Sequence, residues 1–193
     1  MNQSLTDTAN LLAALADQAK TCMKCALCKD RTNVVFSSGD SLSPLMFLGE
    51  APGEDEDKAG SPFVGKSGQL LNKMIEKCLP LKREQIYVTN VVKCRPPNNR
   101  VPQIEEIAQC FGYLQQQIML VKPRVIVTLG KVATQALLNV EEKIGKMRGK
   151  VYHYQEIAVV PTWHPSYLLR RPIARWDSVE DMKVVTNLLS VPG

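Results

Sequence analysis

The chain has 193 residues, a net charge of +5 and 45% hydrophobic residues. This length suits one domain with a substantial core, and the composition is ordinary for a globular protein. No apolar run approaches the roughly 20 residues that span a bilayer, and the N-terminus lacks the basic and apolar regions of a signal peptide. These features exclude a membrane-spanning or secreted class, and we expect a monomeric cytoplasmic protein with one domain over residues 1–193.

Taken in chain order, the hydrophobic patterns alternate between helical and strand-like segments. Helices are predicted over residues 5–20, 69–79, 103–120, 131–138 and 178–190, and strands over 44–49, 86–92, 124–130, 150–154 and 157–164. Residues 50–68 contain four Gly and two Pro and are predicted to form a long loop. This alternation predicts a three-layer α/β/α fold around a mainly parallel sheet, with ligands bound beyond the carboxyl ends of its strands.

Charged residues are clustered along the chain. Acidic residues concentrate at 54–57, and basic residues at 93–100, 143–150 and 168–175. Loops that carry Arg and Lys bind phosphates, so these basic clusters are consistent with a nucleic-acid partner. A solvated basic surface without such a partner explains the charge equally well.

Six cysteines form an unusual pattern. Cys78 falls on the apolar stripe of a predicted helix and is expected in the core. The others lie in "CMKCALC" (22–28) and at Cys94 and Cys110, so two close thiols and two distant ones can form a four-thiolate site. Zinc and iron–sulfur clusters both accept four thiolates, and the long second spacing favours a cluster. The spacing does not select which two of the first three cysteines bind.

Five motifs occur together in one order. They read "CMKCALCKDRTNVVFSSGD", "LGEAPGEDEDKAGSPFVGKSGQLL", "YVTNVVKCRPPNNRVP", "LGKVA" and "WHPSYLLR". Together they resemble the family 4 uracil-DNA glycosylases, the iron–sulfur members of the uracil glycosylase superfamily, over about residues 20–190. The resemblance implies a uracil-DNA glycosylase-like fold and a monofunctional enzyme that hydrolyses the N-glycosidic bond of deoxyuridine in DNA, which initiates base excision repair.

The resemblance also implies a [4Fe–4S] cluster bound by C-x2-C and a second, widely spaced pair. The family places an Arg six residues after the second ligand, and here that residue is Arg31. The implied ligands are therefore Cys22, Cys25, Cys94 and Cys110, with Cys28 as a bystander. The cluster-binding segment and the N-terminal helix occupy about residues 1–35, and the cluster is expected to be structural because the hydrolysis moves no electrons.

Base recognition is assigned to residues of the second and third motifs. Phe63 resembles the family's stacking residue, and Asn90 can accept from uracil N3–H and donate to O4, a pattern that cytosine reverses. Glu56 resembles a residue that excludes the thymine methyl, and Gly49 and Ala51 complete the predicted substrate site. The alternatives are that Phe63 packs in the core and that Asn90 caps a turn.

Catalysis and DNA binding are assigned to the remaining motif residues. His164 resembles the family histidine that donates to uracil O2, and Glu50 matches an acidic position that positions water or offsets charge on the sugar. An apolar side chain, Leu168 or Leu169, is expected to fill the hole left by the flipped base, unless these leucines simply begin a helix. The predicted DNA contacts are Arg95, Arg100, Ser166, Leu168, Leu169 and Arg170.

Two other functions remain open at this stage. One is a non-catalytic iron–sulfur module that binds DNA or senses uracil on the same fold. The other is a zinc protein of unrelated function. The presence of Glu50, Phe63, Asn90 and His164 together favours the enzyme, with uracil-containing DNA, single- or double-stranded, as its partner.

Overall fold

The computed structural model of the chain describes residues 2–191, which form a five-stranded sheet. Its strands are β1 (Leu45–Gly49), β2 (Tyr87–Asn90), β3 (Val125–Leu129), β4 (Tyr152–Tyr154) and β5 (Ile157–Thr162). Their order is β2-β1-β3-β5-β4, and all neighbours run parallel except β4, which pairs antiparallel with β5 at one edge. The prediction of a mainly parallel sheet is confirmed.

Helices connect the strands and cover both faces of the sheet. They are α1 (Asn2–Lys20), α2 (Glu54–Ala59), α3 (Lys66–Cys78), α4 (Ile104–Val121), α5 (Lys131–Leu138), α6 (Ile144–Met147), α7 (Pro165–Arg170) and α8 (Arg175–Ser190). Short 3-10 turns lie at Ala26–Cys28, Arg83–Gln85, Pro97–Asn99 and Pro172–Ala174. None of the helices within residues 2–191 is long and apolar enough to cross a membrane.

The segment 50–68 differs from the predicted loop, because it contains α2 and the start of α3. The first turn of α2 consists of four acidic residues, Glu54 to Asp57. Negative charge is favourable at a helix N-terminus, where backbone N–H groups are unpaired and the helix dipole is positive. The acidic run therefore begins a helix, which ends at Gly60 in the left-handed conformation.

Two hydrophobic layers sandwich the sheet because alternate strand residues point to opposite faces. Met46 and Leu48 pack on one face with side chains of α1, α4 and α5, and Leu45 and Phe47 pack on the other face with α3 and α8. The central strands β1 and β3 are buried at every position, as expected for parallel strands covered on both faces. The predicted three-layer α/β/α arrangement is confirmed.

Candidate active site and cysteine site

A cavity of about 410 Å³ opens at the carboxyl edge of the sheet. The segments that follow β1, β2, β3 and β5 meet there, as expected for parallel strands. Its lining includes most of the predicted site: Glu50, Ala51, Glu56, Phe63, Asn90, Arg100, His164, Ser166 and Arg170. A volume of this size is typical of a small-molecule site. The cavity thus brings together side chains that are far apart in the sequence.

Asn90 places an unpaired acceptor in this cavity. It is the last residue of β2, its side chain is 1% exposed, and its Oδ1 atom is buried without a hydrogen-bond partner in the described structure. An unpaired buried polar atom is unfavourable by about 1–3 kcal/mol, so it favours a ligand that donates a hydrogen bond. Asn90 therefore does not cap a turn through this oxygen.

Phe63 closes the cavity beside Asn90. Its backbone is left-handed (φ 59°), and its ring lies 6.2 Å from the ring of His164, with an interplanar angle of 38°. The side chain is 7% exposed and also packs against the apolar layer below α3 and α8. Phe63 therefore packs in the hydrophobic core and also forms a wall of the cavity.

Glu56 fixes the loop that carries Phe63. Its carboxylate accepts hydrogen bonds from the backbone N–H groups of Gly53 (3.1 Å), Val64 (3.0 Å) and Gly65 (2.8 Å). Each bond to a charged acceptor is stronger than a neutral one, so the three together order the loop. Exclusion of the thymine methyl by Glu56 stays a prediction, and the structure adds this role in holding the wall of the cavity.

His164 is held in one tautomer. The backbone N–H of Ser166 donates to Nδ1 of His164 at 3.1 Å, and the Ser166 hydroxyl lies 2.7 Å from the same atom. An amide N–H only donates, so Nδ1 carries a lone pair and the proton of the neutral ring is on Nε2. Burial, and secondly the charge of Arg170, lowers the pKa of His164 to about 4. The ring is therefore neutral near pH 7 and has one N–H to donate.

Glu50 follows β1 and lines the same cavity without a hydrogen bond or ion pair to its carboxylate among the described residues. Its backbone carbonyl accepts from the N–H of Val92 at 3.1 Å, which ties the residue to the adjacent strand end. Burial raises the pKa of Glu50 above its ordinary value. A carboxylate in such a position can accept a proton from water or stabilise positive charge on a ligand.

The strand end before His164 is held from behind by a buried ion pair. Thr162 Oγ1 donates to Asp181 Oδ2 at 2.6 Å, and Arg148 Nη2 donates to Asp181 Oδ1 at 2.6 Å. Asp181 is 1% exposed. Trp163, which precedes His164, donates from Nε1 to Asp177 at 3.1 Å. This network could not be expected from the sequence, because Arg148 lies just after α6 while its partners belong to β5 and α8.

The two leucines that are predicted to contact DNA differ in exposure. Leu168 is completely buried and packs against Met74 of α3 and Ala174, whereas Leu169 is 40% exposed. Because α7 begins at Pro165 and turns Leu168 into the core, Leu169 is the one of the two leucines that is exposed for a DNA contact. Both leucines lie within α7, and DNA contact by Leu168 or Leu169 stays a prediction.

The predicted arginines differ in how freely they can move. Arg100 forms a two-point ion pair with Glu106 at 2.7 and 2.9 Å, and Arg95 donates to Asn99 at 2.8 Å. Within residues 2–191, the side chain of Arg170 has no hydrogen bond or ion pair, and the residue lines the cavity. It is thus the most available of the three for a phosphate.

Sequence reasoning missed an exposed surface next to Leu169. Ile173 is 77% exposed and Trp176 is 71% exposed, and both are interleaved with exposed arginines in "RRPIARW" (170–176). Large apolar side chains are rarely left this exposed without a partner, especially a Trp. The signal in the sequence was this interleaving of apolar and basic residues directly after a predicted DNA-binding motif.

A second cavity gathers the cysteines. It is lined by Cys22, Cys25, Cys28, Cys94 and Cys110 together with Ala19, Lys24, Arg31, Lys93, Gln109 and Tyr113. All the cysteines are free thiols, and Cys78 lies apart at the edge of the opposite apolar layer. The spacing in the sequence predicted one close pair of cysteines and one distant pair, and the fold places both pairs around this cavity.

Positive charge and N–H groups face these sulfurs. Arg31 Nη1 donates to Cys94 Sγ at 3.4 Å and to the Cys22 carbonyl at 2.8 Å, and the backbone N–H of Lys93 donates to Cys110 Sγ at 3.4 Å. Burial raises the pKa of the Cys94 thiol to about 11. The Cys94 thiol therefore ionises readily only when a bound cation lowers its pKa, as metal coordination does.

The arrangement does not identify the bound group by itself. Among the residues that the structure describes, no three or more His, Cys, Asp or Glu side chains form a site for a metal ion. The thiols surround a shared cavity, with cationic groups beside it, and this donor set suits a group that spreads negative charge over several sulfurs. Cys28 lines the same cavity as the other four cysteines. The cavity lining therefore does not decide whether Cys28 is a ligand.

Comparison with known proteins gives a consistent result. A sequence profile of the uracil DNA glycosylase superfamily matches residues 36–187. A type-4 uracil-DNA glycosylase of Saccharolobus solfataricus is 46% identical over 187 residues, which cover 93% of this chain and 87% of the relative. A protein of the same name from Thermotoga maritima is 44% identical and covers 83% of this chain and 84% of the relative. A type-5 uracil-DNA glycosylase of Pyrobaculum aerophilum is 31% identical over 67% of this chain and 64% of the relative.

Proposed function

The chain belongs to the uracil DNA glycosylase superfamily and is a uracil-DNA glycosylase, and we propose that it excises uracil by flipping the nucleotide into the cavity between Asn90 and His164. The observation that carries this proposal is the pairing of an unsatisfied acceptor, Asn90 Oδ1, with a neutral donor, His164 Nε2–H, on one cavity. Uracil offers a donor at N3 and an acceptor at O2, which suits this pair. The non-catalytic alternative is not favoured.

Asn90 selects the base. Its Oδ1 accepts from uracil N3–H and its amide donates to O4. Cytosine N3 has no hydrogen, so the buried Asn90 oxygen stays unpaired. Cytosine also has an amino group in place of O4, and this donor would face the Asn90 amide NH2, which is a donor too. Phe63 stacks on the flipped base, a contact that contributes about 1–3 kcal/mol. Since a duplex hides the N-glycosidic bond, binding requires that the base first leaves the stack.

His164 and Glu50 act on opposite sides of the bond that breaks. As the bond between C1′ and N1 cleaves, its electron pair moves onto uracil, and the His164 N–H stabilises the negative charge that develops at O2. The sugar becomes positively charged, and the Glu50 carboxylate stabilises it and accepts a proton from the water that attacks C1′. A neutral His164 suits this role, because its tautomer is already fixed by Ser166.

DNA lies across the cavity mouth in this proposal. Leu169 fills the space that the flipped base leaves, and Arg170 binds a neighbouring phosphate. The exposed side chains of Ile173 and Trp176 extend the same surface, and the arginines between them add positive charge. A Trp face stacks on unpaired bases of any sequence, so this surface contributes affinity without sequence preference.

Cys22, Cys25, Cys94 and Cys110 would hold a [4Fe–4S] cluster. When bound, the cluster supplies a rigid cross-link between the N-terminal segment and the loop after β2, and it takes no part in the hydrolysis. We expect anaerobically purified protein to contain about four irons per chain. Cys94→Ala is expected to lose them and Cys28→Ala to keep them, and stoichiometric zinc without iron contradicts this assignment. The cytoplasmic location and monomeric state stay predictions.

Incubation with a uracil-containing oligonucleotide, followed by alkaline cleavage at abasic sites, tests the activity. Wild-type protein is expected to cleave the uracil strand and leave a matched cytosine strand intact. Asn90→Asp is expected to weaken uracil excision, because a carboxylate cannot donate to O4. Full uracil activity in this variant shows that Asn90 does not select the base, and inactive wild-type protein refutes the proposed function itself.

A further inference from the structure

Asp57 is a buried carboxylate that the proposed mechanism does not use. The residue is 2% exposed, and none of the ion pairs among the described residues includes it. A buried charge is strongly unfavourable unless hydrogen bonds or a counter-charge compensate for it. The hydrogen-bond partners of Asp57 therefore show which part of the chain the carboxylate holds.

The Asp57 carboxylate holds the segment that follows the first three cysteines. The backbone N–H of Thr32 donates to Oδ1 and Oδ2 at 3.0 Å each, and the backbone N–H of Asn33 donates to Oδ1 at 3.2 Å. In addition, Asn33 Nδ2 donates to the backbone carbonyls of Asp57 at 2.8 Å and Lys58 at 3.3 Å. Hydrogen bonds to a charged acceptor are stronger than neutral ones, so these contacts attach α2 to residues 32–33.

Residues 32–33 are themselves held in place by the residue before them. The guanidinium of Arg31 donates to the backbone carbonyls of Lys20 at 3.0 Å and Cys22 at 2.8 Å. Lys20 is the last residue of α1, and its neighbour Ala19 is buried in the hydrophobic core. Asp57 thus connects α2 to the packed end of another helix.

The neighbouring carboxylate of α2 holds Phe63. The backbone of Phe63 is left-handed, which is unfavourable for a bulky residue and persists only where the surrounding structure holds it. Glu56 accepts from the backbone N–H groups of Val64 and Gly65, the two residues that follow Phe63. Because α2 has only six residues, it is not stable without tertiary contacts. The position of the Phe63 ring therefore depends on how α2 is attached to the rest of the chain.

We propose that Asp57 is a positioning residue for base binding: by attaching α2 to residues 32–33, it keeps Glu56 in the position that holds Phe63 as a wall of the cavity. Asp57 is not among the described residues that line the cavity, so it acts through Glu56 and Phe63. The proposal rests on the proposed function, which assigns Phe63 to stacking on uracil.

A double-mutant cycle tests this role. Anaerobically purified wild type, Asp57→Ala, Phe63→Ala and the double variant are compared, with Asp55→Ala as the control. Asp55 lies in the same turn of α2, is exposed, and has no hydrogen bond or ion pair from its carboxylate among the described residues, so its replacement makes the same change in charge. The affinity for free uracil is measured by calorimetry and stability by urea unfolding. Free uracil avoids any effect of the lost charge on DNA binding.

Asp57→Ala is expected to bind uracil about tenfold more weakly, the scale for losing one aromatic contact to a base. The double variant is expected to bind uracil as weakly as Phe63→Ala alone, because residues that act through one contact are not additive. Asp55→Ala is expected to match wild type in uracil affinity. A merely structural Asp57 would lower the urea midpoint and leave the uracil affinity of the folded protein unchanged.

Unchanged uracil affinity in folded Asp57→Ala overturns the proposal, and so does a double variant that binds uracil about tenfold more weakly than Phe63→Ala. If Asp57→Ala does not fold, Asp57→Asn takes its place in the cycle, because its amide keeps one acceptor and turns the other into a donor that faces an N–H group. A smaller loss is then expected, again absent in the Phe63→Ala background, and unchanged affinity again overturns the proposal. Wild-type protein that neither binds nor excises uracil refutes the proposed function instead.

Discussion

On the acid side of the pH–rate profile, the first loss of rate should come from protonation of Glu50. Burial raises the pKa of Glu50 above its ordinary value of 4.5, and burial lowers the pKa of His164 to about 4. As the pH falls from 7, the Glu50 carboxylate is therefore protonated first, while His164 is still neutral and still donates from Nε2. We expect the rate of uracil excision to fall with the first of these protonations.

The expected magnitudes follow from these assignments. Below the pKa of Glu50, the wild-type rate should fall about tenfold per pH unit, as for loss of a single ionised group. Glu50→Gln should be slower than wild type at pH 7 by about 100-fold or more, the usual contribution of a positioned base. Its remaining activity should stay level with falling pH until His164 is protonated near pH 4.

Loss of rate in Glu50→Gln should not reflect loss of stability. A carboxyl whose pKa is higher in the folded state binds more protons there than in the unfolded chain. Its contribution to stability is thus full at low pH and is lost as the pH rises through the folded pKa. Ionised Glu50 opposes folding near pH 7, and a neutral glutamine removes that cost, so urea unfolding at pH 7 should show equal or greater stability for Glu50→Gln.

Single-turnover rates between pH 4 and 8, with enzyme in excess over a uracil-containing oligonucleotide, separate chemistry from product release. Wild type and Glu50→Gln are compared at each pH, with DNA affinity measured in parallel. The reasoning is refuted if the rate of Glu50→Gln falls with decreasing pH as the wild-type rate does, because another group is then responsible for that fall. A wild-type rate at pH 7 in this variant would refute the catalytic role of Glu50 directly.

Four further variants test other parts of the site. Gly49→Ala should lower uracil excision by about 100-fold, because its Cβ would lie 2.2 Å from Asn90 Oδ1 and so displace that side chain; single-turnover rates measure this. Leu168→Ala should destabilise the fold by about 2–5 kcal/mol in urea unfolding, whereas Leu169→Ala should leave stability unchanged and weaken activity on duplex DNA more than on single strands. Asp181→Ala should cost about 1–3 kcal/mol of stability, because the buried Thr162 hydroxyl and the half-buried Arg148 lose the carboxylate to which they donate, and equal urea midpoints would contradict this.

The sheet and most helices were predictable because their periodicity is regular. Residues 131–138 form α5 as predicted, and the strands differ from prediction only near their ends. The helix α2 was missed because its residues are almost all charged and show no apolar stripe, so its N-terminal charges were the only signal. The short helix α6 was likewise missed, because it lies in the segment 143–150, which was considered only for its basic charge.

The candidate site was predictable where a strand end and a motif coincide. Asn90 ends a strand and Glu50 and His164 follow one. The rule that parallel strands present their carboxyl ends to one ligand site brought the three together. Leu168 and Leu169 could not be separated, because the phase of a six-residue helix depends on where it begins. The burial of Lys93 could not be predicted, because Phe36 and Cys110, which lie against it, are distant from it in the sequence.

Glycine determines whether these strand ends can form a cavity at all. Neighbouring strands are about 4.8 Å apart, so a residue on β1 lies directly beside its partner on β2. Gly49 is the partner of Asn90, and a Cβ on it would also lie 2.6 Å from Phe63 Cζ. Gly130 has a φ of +87°, and a Cβ there would lie 2.9 Å from His164 Cβ. The absence of a side chain at these two glycines therefore leaves room for Phe63, Asn90 and His164 to line one cavity.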